Sequence, residues 1–180
     1  MDAAPFAIRP ARPGDVAVMQ AVEIDAARAY GRLPETAFCL DLPARDGAEH
    51  ARARGFGAAL VGETGGAVVG FALALPVDGR AHLLEIAVLC AHQGRGHGRR
   101  LIGAFEAWAR GAGFAEATLT TFRDVPWNAP FYARLGYRAF TVDETRPELR
   151  AVEDEERAAG FARVPRVAMR KALDDGRHAP

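Results

Sequence analysis

The glycine-rich segment at 93–98, with the sequence QGRGHG, constrains the fold of this chain more than any other feature. It follows a β-rich run at 82–89 and precedes a helical pattern at 98–112, whose apolar residues recur at i, i+1, i+4 and i+7. Glycines let the backbone curl and approach a ligand, and the N–H groups at the start of a helix point outward. The order of strand, glycine turn and helix therefore predicts an α/β protein with a binding site for a phosphate or pyrophosphate.

The spacing within this turn disfavours two common nucleotide-binding motifs. A P-loop needs Gly-Lys followed by Ser or Thr, and the one lysine of the chain, Lys171, is distant in sequence. The dinucleotide pattern G-x-G-x-x-G would place its third glycine at Arg99. The sequence therefore disfavours a nucleotide-binding oxidoreductase, which would have to bind NAD or NADP.

Length and composition predict one globular domain over residues 1–180. The chain has 49% hydrophobic and 26% charged residues, and no repeat or linker divides it. We expect residues 172–180 to form a flexible tail. The class is mixed α/β, with hairpins first and helical crossovers later.

Charge and hydropathy exclude several classes of partner. The 23 Lys and Arg residues balance the 23 Asp and Glu residues, which leaves no large field for nucleic acid or an anionic membrane. No stretch is long and apolar enough for a membrane span, and no secretory leader is evident. The two cysteines, Cys39 and Cys90, lack CxxC spacing. We expect a soluble cytoplasmic protein without metal, nucleic-acid or membrane partners.

Local patterns predict the order of the remaining elements. The segment at 32–57 is too weakly periodic for a firm assignment, and we expect it to form a loop that covers a site. The expected strands are at 6–9, 58–63, 67–75, 82–89, 116–121, 137–143 and 166–171, and the expected helices are at 13–30, 45–54, 98–112, 128–135 and 147–159.

Two motifs together indicate a family. The turn fits Q-x-x-G-x-G, and here the sequence resembles the GCN5-related N-acetyltransferase (GNAT) superfamily, whose pyrophosphate loop has R/Q-x-x-G-x-G/A between a strand and a helix. The stretch at 128–137, NAPFYARLGY, is similar to the second signature of that family, and the longer stretch at 120–137 is similar to bacterial members. The resemblance covers the whole chain in element order and is close from 82 to 140.

The resemblance implies a GNAT-like fold, which is a central, mixed, mostly antiparallel twisted sheet flanked by helices. It implies an N-acetyltransferase that uses acetyl-CoA and acts on a small-molecule or peptide amine, and it makes a homodimer plausible. The alternative from another class is a non-catalytic acyl-CoA-binding regulatory module.

The resemblance also assigns coenzyme-binding residues. Main-chain groups on the strand would align the thioester, and the turn with two arginines would hold the pyrophosphate. These residues are Ile86, Val88, Gln93, Gly94, Arg95, Gly96, His97, Gly98, Arg99 and Asn128. Asn128 departs from the family pattern, because it lies four residues before Tyr132 instead of about seven, so helix capping is an equal alternative.

Acetyl transfer to an amine requires a base for the ammonium proton and an acid for the departing thiolate. Glu85 is the only carboxylate of the strand LLEIAVLC and is the candidate base. The alternative is a glutamate at an edge or facing solvent, or one paired with an arginine. Tyr132 occupies the position at which the family often has a general acid, and the alternative is a core aromatic.

Other residues near these motifs have weaker assignments. Asp124 and Trp127 are candidates for binding the acceptor, with a plain surface turn as the alternative. Cys90 is expected to pack and not to act as a nucleophile. His92 and His97 lack a third ligand and predict no metal site.

Overall fold

The computed structural model describes residues 5–173, whose strands and helices follow the order predicted from the sequence. The strands are β1 (Phe6–Pro10), β2 (Ala58–Thr64), β3 (Ala67–Val77), β4 (Arg80–Val88), β5 (Glu116–Phe122), β6 (Arg138–Phe140) and β7 (Arg166–Ala172). The helices are α1 (Val16–Ala27), α2 (Gly47–Phe56), α3 (His97–Gly111), α4 (Ala129–Ala133) and α5 (Pro147–Ala158).

The strands belong to one seven-stranded sheet with the order β1-β2-β3-β4-β5-β7-β6. β1 with β2, β2 with β3, β5 with β7 and β6 with β7 are antiparallel, whereas β4 and β5 are parallel. The parallel pairing joins Ala81–Leu83 to Ala117–Leu119. The prediction of a mixed, mostly antiparallel sheet flanked by helices is confirmed.

Several predicted boundaries differ from those of the structure, and three of the differences have a local explanation. The first helix ends at Ala27 because the chain continues as 3-10 turns at Tyr30–Arg32 and Pro34–Asp41. The second helix begins at Gly47, since the Asp46 carboxylate caps it by accepting from the Glu49 N–H at 2.8 Å. The strand expected at 137–143 ends at Phe140, shortly before Asp143 folds back to accept from the Thr145 N–H and hydroxyl.

Contacts within the chain define two compact units. The first contains residues up to 75 together with 84–108. Its core is formed by buried side chains of β2, β3 and α1, namely Val61, Phe71, Leu73, Met19 and Val22. Each such side chain contributes about 1.5–3 kcal/mol when it is removed from water.

The second unit contains residues 76–83 and those from 109 onward. Leu119, Tyr137 and Leu149 are among its most deeply buried side chains. The turn between β3 and β4 caps α5, because the Asp78 carboxylate accepts from the Glu148 and Leu149 N–H groups at 3.1 and 2.9 Å.

The last described residue is Leu173. It follows the end of β7, and its side chain is buried. The predicted start of the flexible tail at 172 was too early, because Ala172 belongs to β7 and the Leu173 N–H donates to the Ala115 carbonyl at 2.8 Å. The rest of the predicted tail, from 174 onward, lies outside the described residues. Within 5–173, no helix has both the length and the apolar character that crossing a membrane would require.

His50 gives a testable pH dependence of stability. Its side chain on α2 is 1% exposed, its ring centroid lies 5.9 Å from that of Phe71, and neither ring nitrogen has a hydrogen-bond partner. Burial lowers the pKa of His50 below 6.5, so the folded state keeps the imidazole neutral. The unfolded chain then binds more protons than the folded chain as the pH falls below this value, and stability is lost.

We therefore expect the free energy of unfolding to fall between about pH 7 and pH 5, and to fall less in a His50→Leu variant. The variant should also be more stable at about pH 7 by roughly 1 kcal/mol, because two unsatisfied polar atoms are removed. Urea unfolding of wild type and of the variant at about pH 7 and pH 5 measures both differences in the free energy of unfolding. Equal pH dependence in both proteins would contradict the assignment.

Candidate active site

The turn predicted from its glycines has the conformation that anion binding needs. After β4 the chain makes a 3-10 turn at Cys90–His92, and α3 begins at His97. Gly94 and Gly96 have φ values of 73° and 80°, in the left-handed region that favours glycine. A Cβ built on either glycine would have no atom within 4 Å, so this backbone faces open space. A phosphate could therefore approach the first N–H groups of α3 directly.

Hydrogen bonds on both sides fix the shape of this turn. The Gln93 side-chain amide donates to the Val88 carbonyl at 3.0 Å, and the Gln93 N–H donates to the Cys90 carbonyl at 3.3 Å. The Arg100 guanidinium donates to the Phe6 carbonyl at 2.7 Å and lies over the Phe6 ring. Gln93 and Arg100 therefore hold the chain in place before and after the two glycines.

The other side chains of the turn differ in exposure. The His97 ring stacks on Phe6 with a centroid distance of 4.1 Å. Burial, with smaller effects of His92, Arg100 and Arg95, lowers the pKa of His97 and favours a neutral ring. Arg95 and Arg99 are exposed. They remain the arginines predicted to contact the coenzyme phosphates.

Glu85 lies half-buried on β4, a few residues before the turn. One of its carboxylate oxygens is 3.4 Å from Arg45 Nε, and the other accepts from the Ile86 N–H at 3.1 Å. The ion pair that the sequence left as the alternative is therefore present. Glu85 itself belongs to β4, the strand predicted to hold the thioester, and its role as the base stays a prediction.

Ile86 and Val88 are predicted to pair with the coenzyme through their main-chain groups, and one such group of each residue already has a hydrogen-bond partner. The Ile86 N–H is engaged by Glu85, and the Val88 carbonyl accepts from Gln93. A coenzyme that pairs with this strand would use the other main-chain groups of these two residues or displace those hydrogen bonds. Their coenzyme contact stays a prediction.

Sequence reasoning missed two residues beside Glu85. Arg45, in the segment expected to cover a site, donates to the Leu84 carbonyl at 2.9 Å and to Glu49 at 2.7 Å. Glu23 on α1 accepts the Arg45 N–H with both oxygens at 3.2 Å. Nothing in the helical pattern of α1 marks Glu23, because its partners come from distant parts of the chain.

Tyr132 lies in the second unit, on α4. It is 8% exposed, and its ring meets those of Phe131 and Tyr137 edge-on, with centroid distances of 5.2 and 5.9 Å. Its carbonyl accepts from the Tyr137 N–H at 3.1 Å. The ring is thus fixed by packing, as the core alternative required, and a fixed ring can also aim its hydroxyl.

Asn128 does not cap α4 with its side chain, and that alternative was wrong. Its amide instead donates to the Thr121 hydroxyl at 2.8 Å, in a site where Asn128 is 7% exposed. Its carbonyl accepts from the Phe131 and Tyr132 N–H groups at the start of the helix. The side chain therefore ties the start of α4 to β5, and its coenzyme contact stays a prediction.

The loop after β5 carries the two predicted acceptor-binding residues. The Asp124 carboxylate accepts three hydrogen bonds from the neighbouring Arg123 guanidinium, at 2.9–3.2 Å, and both side chains are exposed. These bonds lower the pKa of Asp124. Trp127 is 38% exposed. An acceptor ammonium at Asp124 would compete with Arg123, so this role also stays a prediction.

Cys90 has the environment of a packed thiol. Its N–H donates to the Asp25 carboxylate at 2.7 Å, and its thiol lies 3.1 Å from the Asp25 carbonyl oxygen. Burial raises the pKa of the thiol and keeps it protonated. Across residues 5–173, no three His, Cys, Asp or Glu side chains come together as metal ligands.

The turn yields a prediction for coenzyme affinity. A Gly96→Val variant should bind coenzyme A about tenfold or more weakly, because a β-branched residue is strained at positive φ and would reshape the turn. Titration calorimetry measures the affinity. Gly103→Ala is the matched control, since Gly103 lies on α3 without positive φ and with open space around it. Unchanged affinity in a folded Gly96→Val protein would contradict the assignment of this turn.

Comparison with known proteins identifies the family. The model of the acetyltransferase (GNAT) family matches residues 20–137, a range that contains the turn, Glu85 and Tyr132. A GNAT family acetyltransferase from Brucella melitensis, solved in complex with acetyl-CoA, is 30% identical over 76% of this chain and 84% of its own, with a TM-score of 0.56. This chain belongs to the GNAT family of acetyltransferases.

Two further solved structures share the fold at lower identity. The ribosomal-protein-S18-alanine N-acetyltransferase from Escherichia coli is 16% identical over 98% of this chain and 97% of its own, with a TM-score of 0.66. The PaiA N-acetyltransferase from Thermoplasma acidophilum, in complex with coenzyme A, is 15% identical over 93% of this chain and 99% of its own, with a TM-score of 0.62. The predicted superfamily is confirmed by the family model and by the Brucella melitensis protein, and these two structures show the same fold.

Proposed function

We propose that this acetyltransferase moves the acetyl group of acetyl-CoA to a primary amine of a small molecule or peptide by direct attack. The observation that carries the proposal is the open turn with Gly94 and Gly96 at positive φ, placed between β4 and α3. Family membership supports acetyl-CoA as the acyl donor.

The turn supplies binding energy for the donor. The N–H groups at the start of α3, together with the helix dipole, favour the negative charge of a pyrophosphate. Arg95 and Arg99 are exposed beside these groups and can add charge-assisted hydrogen bonds. Gln93 contributes by holding the turn in place through Val88.

Glu85 and Tyr132 handle the protons. Glu85 accepts a proton from the acceptor ammonium, directly or through a water, and so frees the nitrogen lone pair for attack. Tyr132 carries a phenol O–H, which can donate a proton to the departing sulfur. The packed, protonated Cys90 thiol supports direct transfer without an acyl-cysteine.

Incubation with acetyl-CoA and a panel of amines tests the proposal. The panel contains a polyamine, free amino acids and peptides with a free N-terminus, and the matched control replaces each amine by the corresponding alcohol. We expect one class of amine to yield free thiol and acetamide in equal amounts. Binding of acetyl-CoA without turnover of any amine would contradict the proposal and favour a non-catalytic acyl-CoA-binding module.

The proposed setting is the cytoplasm of a bacterial cell, with a homodimer as the proposed assembly. Cys39 and Cys90 are both free thiols, which supports a reducing compartment. The 30% identity with the Brucella melitensis protein supports a bacterial source. Size-exclusion chromatography with light scattering measures the assembly.

A further inference from the structure

Four charged side chains of the first unit form a carboxylate-arginine cluster, defined here as Glu23, Arg45, Glu49 and Glu85. Glu23 lies on α1, Glu49 on α2 and Glu85 on β4, while Arg45 precedes α2. The Arg45 guanidinium contacts Glu49 at 2.7 Å and Glu85 at 3.4 Å. One arginine thus connects three separate elements at the candidate base.

Arg45 is held at its backbone as well as at its side chain. Its N–H donates to both Glu23 oxygens, and its carbonyl accepts from the Gln20 side-chain amide at 2.8 Å. The guanidinium also donates to the Leu84 carbonyl at 2.9 Å, on the residue before Glu85. A residue fixed in this way can hold the Glu85 carboxylate in one orientation against β4.

The charges of the cluster do not balance when every group is ionised, because the cluster contains three carboxylates and one guanidinium. Burial, and next the negative charge of Glu85, raise the pKa of Glu23 to about 8. Arg45 acts in the opposite direction, and Glu49 adds a smaller upward effect. Near neutral pH, Glu23 therefore carries a proton, and the negative charge of Glu85 is one of the causes.

We propose that Arg45 and Glu23 are positioning residues that act through Glu85, the first by holding its carboxylate against β4 and the second by exchanging negative charge with it during acetyl transfer. The proposal rests on the proposed function of Glu85 as the base. When Glu85 takes a proton from the acceptor ammonium, an O–H bond forms, an N–H bond breaks, and the negative charge of Glu85 disappears. Glu23 then releases its own proton to water, so one proton passes in net from the ammonium to solvent.

The titration of Glu23 tests this charge exchange without any acceptor. The full chain, with its glutamate carboxyl carbons labelled with carbon-13, is titrated by NMR as wild type and as Glu23→Gln, Glu85→Gln and Arg45→Gln variants. We expect a resonance with a midpoint near 8 that is absent in Glu23→Gln. Its midpoint should fall by about one pH unit in Glu85→Gln, where a negative neighbour is lost, and rise in Arg45→Gln, where a positive neighbour is lost. A midpoint that stays in place in Glu85→Gln would overturn the proposal.

The pH profile of turnover, measured with the best amine of the panel, is the second readout. We expect the step near pH 8 to be present in wild type and in the control Glu155→Gln, whose carboxylate is exposed on α5, and absent in Glu23→Gln. Arg45→Gln should move the step to higher pH. Arg45→Lys keeps the positive charge, so its step should lie close to that of wild type. Thermal unfolding and coenzyme affinity check the fold, and Arg45→Lys with Glu23→Gln decides the outcome if Arg45→Gln does not fold.

The outcomes separate this inference from the function on which it rests. Wild-type turnover in Glu85→Gln would remove Glu85 as the base, and the inference with it. An impaired Glu85→Gln protein combined with wild-type pH profiles in Glu23→Gln and Arg45→Gln would overturn the inference alone. If no amine supports turnover, the proposed function fails and the inference fails with it, whatever the NMR titration shows.

Discussion

A Glu85→Gln variant is expected to lower kcat at neutral pH by about 100-fold or more, because a positioned general base contributes about 10²–10⁴-fold. Glutamine keeps the shape of the side chain, and its single amide oxygen can still accept one of the two hydrogen bonds that the Glu85 oxygens accept from Arg45 and the Ile86 N–H. It cannot take a proton from the acceptor ammonium. The loss should therefore appear in kcat, with the affinity for acetyl-CoA nearly unchanged.

Glu63→Gln is the matched control for this variant. Glu63 also lies on a strand, is also paired with an arginine, and is 25% exposed at its side chain against 29% for Glu85. We expect Glu63→Gln to retain wild-type turnover. Equal activity of the two variants would show that the Glu85 carboxylate is not the base.

A Tyr132→Phe variant is expected to lower kcat by about 100-fold, since the phenylalanine keeps the ring and removes only the proton donor. The edge-on contacts with Phe131 and Tyr137 do not involve the Tyr132 hydroxyl, so the fold and the coenzyme affinity should be kept. Steady-state kinetics with thiol detection measures the change.

Tyr137→Phe provides the comparison, because Tyr137 is a buried tyrosine that contacts the same ring and has no proposed role in catalysis. Its turnover should stay close to wild type. A Tyr132→Phe protein as active as Tyr137→Phe would leave Tyr132 with a packing role only.

Much of the fold was predictable because its signals are local. The glycines after residues 64, 78 and 93 and the alternation of apolar residues in β2, β3 and β4 mark turns and strands within a few residues of where they lie. Boundaries failed where a side chain decided them, as at Asp46, whose carboxylate sets the start of α2. From the sequence alone, several neighbouring residues are equally plausible starts of such a helix.

The candidate site was predictable only in part, for a related reason. Gln93, Gly94 and Gly96 belong to one contiguous motif, and the structure gives that motif the open turn expected of it. Glu23 and Arg45 come to Glu85 from distant parts of the chain, and no spacing rule connects them. The bond from Asn128 to Thr121 is likewise a tertiary contact, which is why capping was the natural expectation.

Thermal unfolding with acetyl-CoA, coenzyme A and NAD in parallel tests the central claim, that the turn at 93–98 holds the coenzyme of an acetyl transfer. Each ligand is supplied to wild type and to Gly96→Val at the same concentration. Acetyl-CoA and coenzyme A, at 100 times the dissociation constant, should stabilise wild type by about 2.7 kcal/mol, and the variant by less. NAD should leave both proteins unchanged. No stabilisation of folded wild type by acetyl-CoA or coenzyme A, or equal stabilisation by NAD, would contradict the claim.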